Sequence, residues 1–458
     1  MLSSVDSQPS SNPGPTSTPA RVIWLAVALG MTVFFVGLWL EKRWDRLEVL
    51  QQFDVLFDMD PNLRLAGISR GVEAFRLVHP NFGNYFRIPI QVVVRGGSAA
   101  GLWRGQESEI ARQLALLVTP GVAGLSVAVM LLVLSRLGLS LWQSLLVASL
   151  GAVSFSQLIG ASVPEHFPLG GLCLGLGFLQ AAREINRGGI PHWPVWCLVG
   201  VLAAGTTITQ AIPILILCFA TALSNGLTRL EGLKRVILVG VAIGLLTYGS
   251  AFLLNRVFGE QLQSPQGPAD ATRQAEPRER SGYRGLLEHH WTWVQRFLRQ
   301  DADAGTLLVR IPEVLTNTLA PRHVREQPLD SGTQRRAMYD FGFTLEGTGS
   351  AGAMAGLSVL LVSGILGSRR GTKALRVTTL GAIGILVFNI ALHTLWGREF
   401  FLYSQHWLVP LLVLLAGNLA FPPPWSRIIT MLLAGGVVLV AASNMATIRA
   451  MLERLQAV

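Results

Sequence analysis

Apolar runs punctuate the chain from one end to the other: Val22–Leu40, Leu114–Leu134, Leu141–Ala161, Phe167–Ala182, Val195–Gly205, Ile208–Leu223, Val236–Leu254, Gly349–Leu366, Val377–Trp396, Tyr403–Phe421 and Ile428–Ala446. Most of them approach the ~20 residues a helix needs to cross the hydrocarbon of a bilayer. The pattern predicts an all-α polytopic bundle of about 11 spans. The two runs around Gly205-Thr206-Thr207 are short, and tilted helices, extended helices or one broken span remain open there. The first run is preceded by a single charge, Arg21, and ends in GLWLEKRW without a small-residue cleavage site, which makes it a retained anchor and not a signal peptide. Residues 1–21, rich in Ser and Pro, read as a disordered tail.

Two long polar stretches interrupt the series, 41–113 and 255–348. They divide the chain into the tail, an N-terminal membrane module (22–254) that includes the first loop, the second loop, and a C-terminal membrane module (349–458). In the first loop, Asp60-Pro61 has the composition of a helix start, with Asp as cap and Pro at the first helical position. Leu65, Ile68, Val72 and Phe75 then form one apolar stripe, with Arg64, Arg70, Glu73 and Arg76 on other faces. That helix lies on a membrane or against a bundle, and it ends near His79-Pro80 because the residue before a proline avoids the α region. In the second loop, LLEHHWTWVQRFLR at Leu286–Arg299 suits an interfacial helix, and Leu307–Leu319 a second one. His289-His290 beside two Trp reads as interfacial, and no internal repeat of fixed period is present.

Composition agrees. Of 458 residues half are hydrophobic and 14% charged, with a mean hydropathy of +0.46, too apolar for a soluble domain of this length. The net charge of +10 is spread over loops and forms no single basic face, which excludes nucleic acid as a partner. It sorts by topology instead. With a cytoplasmic N-terminus the short inside loops hold Arg136, Arg183, Arg187, Arg229, Lys234, Arg235, Arg369, Arg370, Lys373, Arg376 and Arg427, and the short outside loops hold only Arg398. Both long loops and the C-terminus then lie outside. Cys173, Cys197 and Cys218 sit in apolar runs without the neighbours of a metal or redox site, and read as packing residues.

This topology collects unusual polar residues on the outer side: Asp54, Asp58 and Asp60, then His79-Pro80, Pro164-Glu165-His166, Thr206 to Gln210, and Gly397-Arg398-Glu399 with Tyr403-Ser404-Gln405-His406. Ionisable groups at membrane level are costly and mark function, and carboxylates, histidines and an arginine from four loops make an active-site layout. Each member also has a plainer reading. Asp60 and Glu165 can cap helices, Asp54 can be solvated, His79 can be a turn residue, Arg398 and Glu399 a surface ion pair, and Tyr403 part of an aromatic belt.

The arrangement of an opening span, an outer loop bearing Phe57-Asp58-Met59-Asp60, an amphipathic helix and His79-Pro80-Asn81-Phe82 resembles the polytopic glycosyltransferases of the GT-C fold. These include protein O-mannosyltransferases and the bacterial aminoarabinose and lipopolysaccharide-core sugar transferases. Pro164-Glu165-His166 is similar to a P-E motif of that group, and GREFFLYS at 397–404 to one of its late outer-loop motifs. The resemblance implies a transferase in a bacterial inner membrane with its site facing outside. It moves a sugar from a polyprenyl-phosphate donor to a glycan, lipid or protein acceptor, with inversion. Asp58 or Asp60 is then the base, His79, Glu165 and His166 complete the catalytic set, and Arg398, Glu399 and Tyr403 meet the donor phosphate. A divalent metal between Asp58 and Asp60 stays open. The competing readings are a transporter or flippase of a lipid-linked sugar, and a non-catalytic envelope assembly protein.

Overall fold

The computed structural model describes residues 19–51, 56–57, 59–70, 79–189, 191–258, 304–328, 341–345, 351–396 and 400–457. These residues form an all-α membrane protein with one small ribbon. Its helices are α1 (Ala20–Arg46), α2 (Pro61–Arg70), α3 (Phe82–Ala99), α4 (Glu107–Arg136), α5 (Leu141–Val153), α6 (Phe155–Gly160), α7 (Phe167–Arg187), α8 (Trp193–Thr206), α9 (Ala211–Ser224) and α10 (Arg229–Phe258). They continue as α11 (Ala304–Leu319), α12 (Ala351–Ser368), α13 (Lys373–Trp396), α14 (Gln405–Gly417) and α15 (Trp425–Gln456). Among the described residues six helices, α1, α4, α10, α12, α13 and α15, are long and apolar enough to cross a bilayer, and α5, α8, α9 and α14 are shorter apolar helices.

One expected span is interrupted. The run Leu141–Ala161 breaks at Ser154, whose backbone turns extended. The Ser154 hydroxyl accepts from Gln157 N–H at 3.2 Å and donates to Gly151 O at 2.7 Å, so one side chain satisfies both ends of the break. The ambiguity around 205–210 resolves into two helices: Thr207 is extended, and the 3-10 turn Ile208–Gln210 leads into α9. Further differences lie in the loops. Strands β1 (Val324–Pro328) and β2 (Phe341–Leu345) pair antiparallel, a ribbon the sequence reading did not expect. The expected interfacial helix at 307–319 falls within α11, but its C-terminal half docks into the bundle: Thr318 Oγ1 accepts from Trp407 Nε1–H at 2.8 Å and Leu319 O from Asn444 Nδ2–H at 2.7 Å. The expected helix at 286–299 and the stripe residues Val72 and Phe75 lie outside the described residues.

Helix α7 is the central element, buried along almost all its length. Its glycines let neighbours close in: a Cβ on Gly171 would stand 3.2 Å from Gln405 O, and one on Gly177 2.8 Å from Ile214. Cys173 and Cys218 are buried in this core and all three cysteines are free, as packing residues should be.

Connections sort into two ends, and the sorting matches the charge pattern. At one end Asn186 Nδ2–H meets Arg136 O (2.8 Å), Thr372 Oγ1–H meets Leu137 O (2.7 Å) and Lys373 Nζ meets Ser224 O (2.6 Å). At the other end the two long loops meet. Phe57 N–H donates to Phe343 O at 2.9 Å, and Arg454 near the C-terminus pairs with Glu326 at 2.8 Å. Trp44, Phe57, Phe82, Phe155, Phe343, Phe401 and Met451 share one apolar cluster there.

Candidate active site

The polar knot of the loop end is built from the turn before α7. Pro168 at the second helical position fixes where the helix starts, with His166 as its cap residue. Glu165 therefore sits at the N-terminus of the central helix, buried. Its Oε1 accepts from Asp60 N–H at 3.2 Å, and its Oε2 accepts from Arg64 Nε–H (3.1 Å), His166 N–H (3.0 Å) and His166 Nδ1–H (2.7 Å). Burial alone would raise its pKa, but the Arg64 guanidinium and the His166 hydrogen bonds outweigh it and hold the carboxyl well below the usual carboxylate range. One carboxylate thus ties the first-loop acidic motif, α2 and α7 together.

His79 is seated by α8. Its Nδ1–H donates to Thr206 O at 2.8 Å, and the next-but-one residue, Asn81, donates its N–H to Gly205 O at 2.9 Å and its Nδ2–H to Thr247 O at 3.0 Å. Gly205 is required for this approach, since a Cβ there would run into the Tyr85 hydroxyl and stand 3.1 Å from the Asn81 Cβ. The His79 and His166 rings then lie with centroids 4.1 Å apart. Both imidazoles give Nδ1–H to an oxygen, which fixes the tautomer and leaves Nε2 as the basic nitrogen when the ring is neutral. Burial, reinforced by His166 and Arg64, pushes the His79 pKa well below the ordinary imidazole value.

Beside the knot runs an aromatic seam. Phe57 takes a left-handed backbone (φ 55), uncommon for a bulky residue and worth about 1–3 kcal/mol of strain. It is held there by the bond to Phe343 and by its ring, packed on Phe155 (5.6 Å) and Phe401 (4.8 Å). Phe57 immediately precedes Asp58, and Phe401 follows the 397–399 segment. Tyr403 stacks on His393 at 3.8 Å and stands edge-on to Phe167 at 5.5 Å.

Of the residues singled out in the sequence, Asp60, His79, Glu165 and His166 come together, and Tyr403 borders them through Phe167, which is in ring contact with His166 at 4.0 Å. Asp54, Asp58, Arg398 and Glu399 lie outside the described residues. Asp60 behaves as a cap in its backbone, its carbonyl accepting from Arg64 N–H at 3.2 Å. Among the described residues no group of three or more His, Cys, Asp or Glu side chains is arranged to hold a metal ion. Sequence reasoning gave Arg64 no role at the site and missed His393, whose ring joins that of His406, one of the outer polar residues already singled out, in the wall under Tyr403. His393 carried a signal: it is the one ionisable residue in the run Val377–Trp396. No protein-family model and no curated protein matches the chain, so the functional argument rests on the site itself.

Proposed function

We propose that the chain is a membrane glycosyltransferase of about 11 spans in a bacterial inner membrane. It moves a sugar from a polyprenyl-phosphate donor to an acceptor hydroxyl on the extracytoplasmic side. The observation that carries this reading is the buried, ionised Glu165, tied to the Asp60 backbone, to Arg64 of α2 and to the α7 N-terminus beside a paired His79 and His166. Such a charged knot is expensive in an otherwise apolar protein, and its place at the mouth of the bundle suits chemistry on a lipid headgroup.

In the proposed reaction an Asp of the 58–60 motif takes the proton from the acceptor hydroxyl as its oxygen bonds to the anomeric carbon. The bond from that carbon to the phosphate oxygen breaks, the configuration inverts, and polyprenyl phosphate leaves with the electron pair, its charge met by Arg398. Glu165, filled by its donors, positions the acidic motif and His166 and does not itself take the proton. A divalent ion between Asp58 and Asp60 would neutralise the departing phosphate, and no step above depends on it. The helix breaks at Ser154 and Thr207 favour a second reading, a flippase for the same lipid-linked sugar, since transporters bind substrate at discontinuous helices.

Purified protein supplied with an acceptor and a synthetic polyprenyl-phosphate sugar separates the readings. Transfer with that donor is expected, with Arg398→Ala slower than Arg398→Lys because Lys keeps the charge but loses the bidentate fork. Turnover with a nucleotide sugar in the absence of lipid carrier refutes the donor assignment. A deletion strain whose envelope glycans and lipid-linked sugars are unchanged refutes the transferase.

A further inference from the structure

Below the Glu165 knot lies a second polar group that the proposed reaction does not use. His393 on α13 and His406 on α14 face each other, Nε2 to Nδ1, at 3.5 Å. Asn389, one turn before His393, donates its Nδ2–H to His406 O at 2.9 Å. Gln210, at the break before α9, reaches the same place: a Cβ built on Gly170 would stand 2.9 Å from His406 Nε2 and 3.9 Å from Gln210 Cγ. His406 and Gln210 are each 1% exposed, Asn389 0% and His393 4%. Yet His393 Nδ1, His406 Nε2, Gln210 Nε2 and Asn389 Oδ1 make no hydrogen bond in the described structure.

Four buried polar atoms without partners are gathered here from three elements of a membrane protein, and a buried polar group left without a hydrogen bond is costly. Their chemistry selects a ligand. The group mixes donors with acceptors, and the titratable neighbours acting on His406 are other imidazoles, His393, His166 and His79. It carries no fixed charge, so neither a phosphate nor a cation is its natural occupant. A polyhydroxylated ring is, because each hydroxyl can donate and accept. Tyr403, stacked on His393, and Phe167 border the same place.

We propose that His393, His406, Gln210 and Asn389 form the subsite that recognises the uncharged sugar of the lipid-linked donor. The proposal rests on the glycosyltransferase reading and deepens it, dividing the donor between a phosphate end and a sugar end. The neutral groups would discriminate among sugars by which hydroxyl satisfies them, as sites built around buried polar atoms reject analogues that leave those atoms unpaired.

The test uses the full-length protein in nanodiscs and two probes, citronellyl phosphate and a panel of citronellyl-phosphate hexoses and pentoses, with binding followed by microscale thermophoresis. Gln210→Met is nearly isosteric and removes a donor that has no partner, and Gln210→Leu removes the amide with a shorter apolar side chain. Wild type is expected to prefer one sugar-bearing lipid over bare lipid phosphate by roughly tenfold or more, and both variants to lose that preference while melting no lower than wild type. Variants that keep the full preference show that the four groups hold only water and overturn the proposal. So do variants that melt well below wild type, since the groups would then be structural. Wild type that binds both probes equally overturns the sugar subsite and leaves the lipid-phosphate donor standing, whereas wild type that binds neither removes the donor reading along with it.

Discussion

Replacing Glu165 by Gln is the sharpest perturbation of the site. The amide keeps the volume but only one acceptor oxygen, where the carboxylate serves Asp60 N–H on Oε1 and Arg64 and His166 on Oε2, and it takes the negative charge away from Arg64. The Arg64 and Glu165 side chains are only 7% and 4% exposed and meet at 3.1 Å, so little water is there to replace the lost partner. Breaking such a pair from one side costs about 3–5 kcal/mol, because the remaining ion stays desolvated. Removing both charges with Arg64→Met/Glu165→Gln costs less than the sum of the two single changes. The residue of that loss comes from the guanidinium over Phe82, 5.9 Å from the ring centroid. Thermal unfolding of the four proteins in nanodiscs, read by Trp fluorescence, closes the cycle. The pH axis adds a second check. Because the Glu165 carboxyl is depressed, its contribution is fully present above the unfolded value of about 4.3 and is lost as pH falls below it. The gap between wild type and Glu165→Gln therefore narrows below about pH 4, while His79, buried and favoured neutral, weakens both proteins below about pH 6.5, the variant more because it lacks the carboxylate that favours the His79 cation. Additive single losses, or a gap that is flat down to pH 3, would refute the buried ion pair as the centre of the loop end.

Three further outcomes follow from the same structure. In a background without native cysteines, a Cys at exposed Arg104 labels with an impermeant reagent in intact cells and a Cys at exposed Arg369 does not; the reverse pattern inverts the orientation and moves the knot to the cytoplasmic side. Asp58→Asn and Asp60→Asn keep size and most capping ability, so at least one abolishes transfer at unchanged expression; full transfer by both, and by the double variant, promotes the scaffold reading. Gly205→Ala drives a methyl group into Tyr85 and Asn81, unseats His79 from Thr206 and lowers the melting temperature by an amount equivalent to about 1–3 kcal/mol of overpacking, and an unchanged melting temperature shows the loop to be only loosely held.

The membrane fold was legible because hydropathy over ~20 residues is a strong, additive signal. Which loops share an end was legible because charge in short loops is a second, independent signal. Breaks were harder to see. Ser154 sits in an apolar run whose composition reads as one helix, and the capping geometry that splits it depends on Gln157 reaching Ala123 O at 3.0 Å on another helix. The β1–β2 ribbon was invisible for a similar reason. VREQP has no alternation of its own, and Phe343 has a place to go only once Phe57 N–H and Leu56 stand beside it.

The site was legible in its chemical inventory and not in its wiring. Asp60, His79, Glu165 and His166 could be chosen because ionisable residues at span ends are rare. Nothing along the chain says that Glu165 accepts from four donors, which ties the Asp60 backbone, Arg64 and His166 to one carboxylate. Arg64 shows why. On a helical wheel it falls off the apolar stripe and reads as solvated. Yet α2 packs between α3 and α4, so that the arginine is turned inward onto a carboxylate 101 residues away in sequence. Pairing one ion from the loop with one from the central helix makes each indispensable to burying the other. Asp60 and α2 therefore share their anchor with α7, which couples the first loop to the central helix.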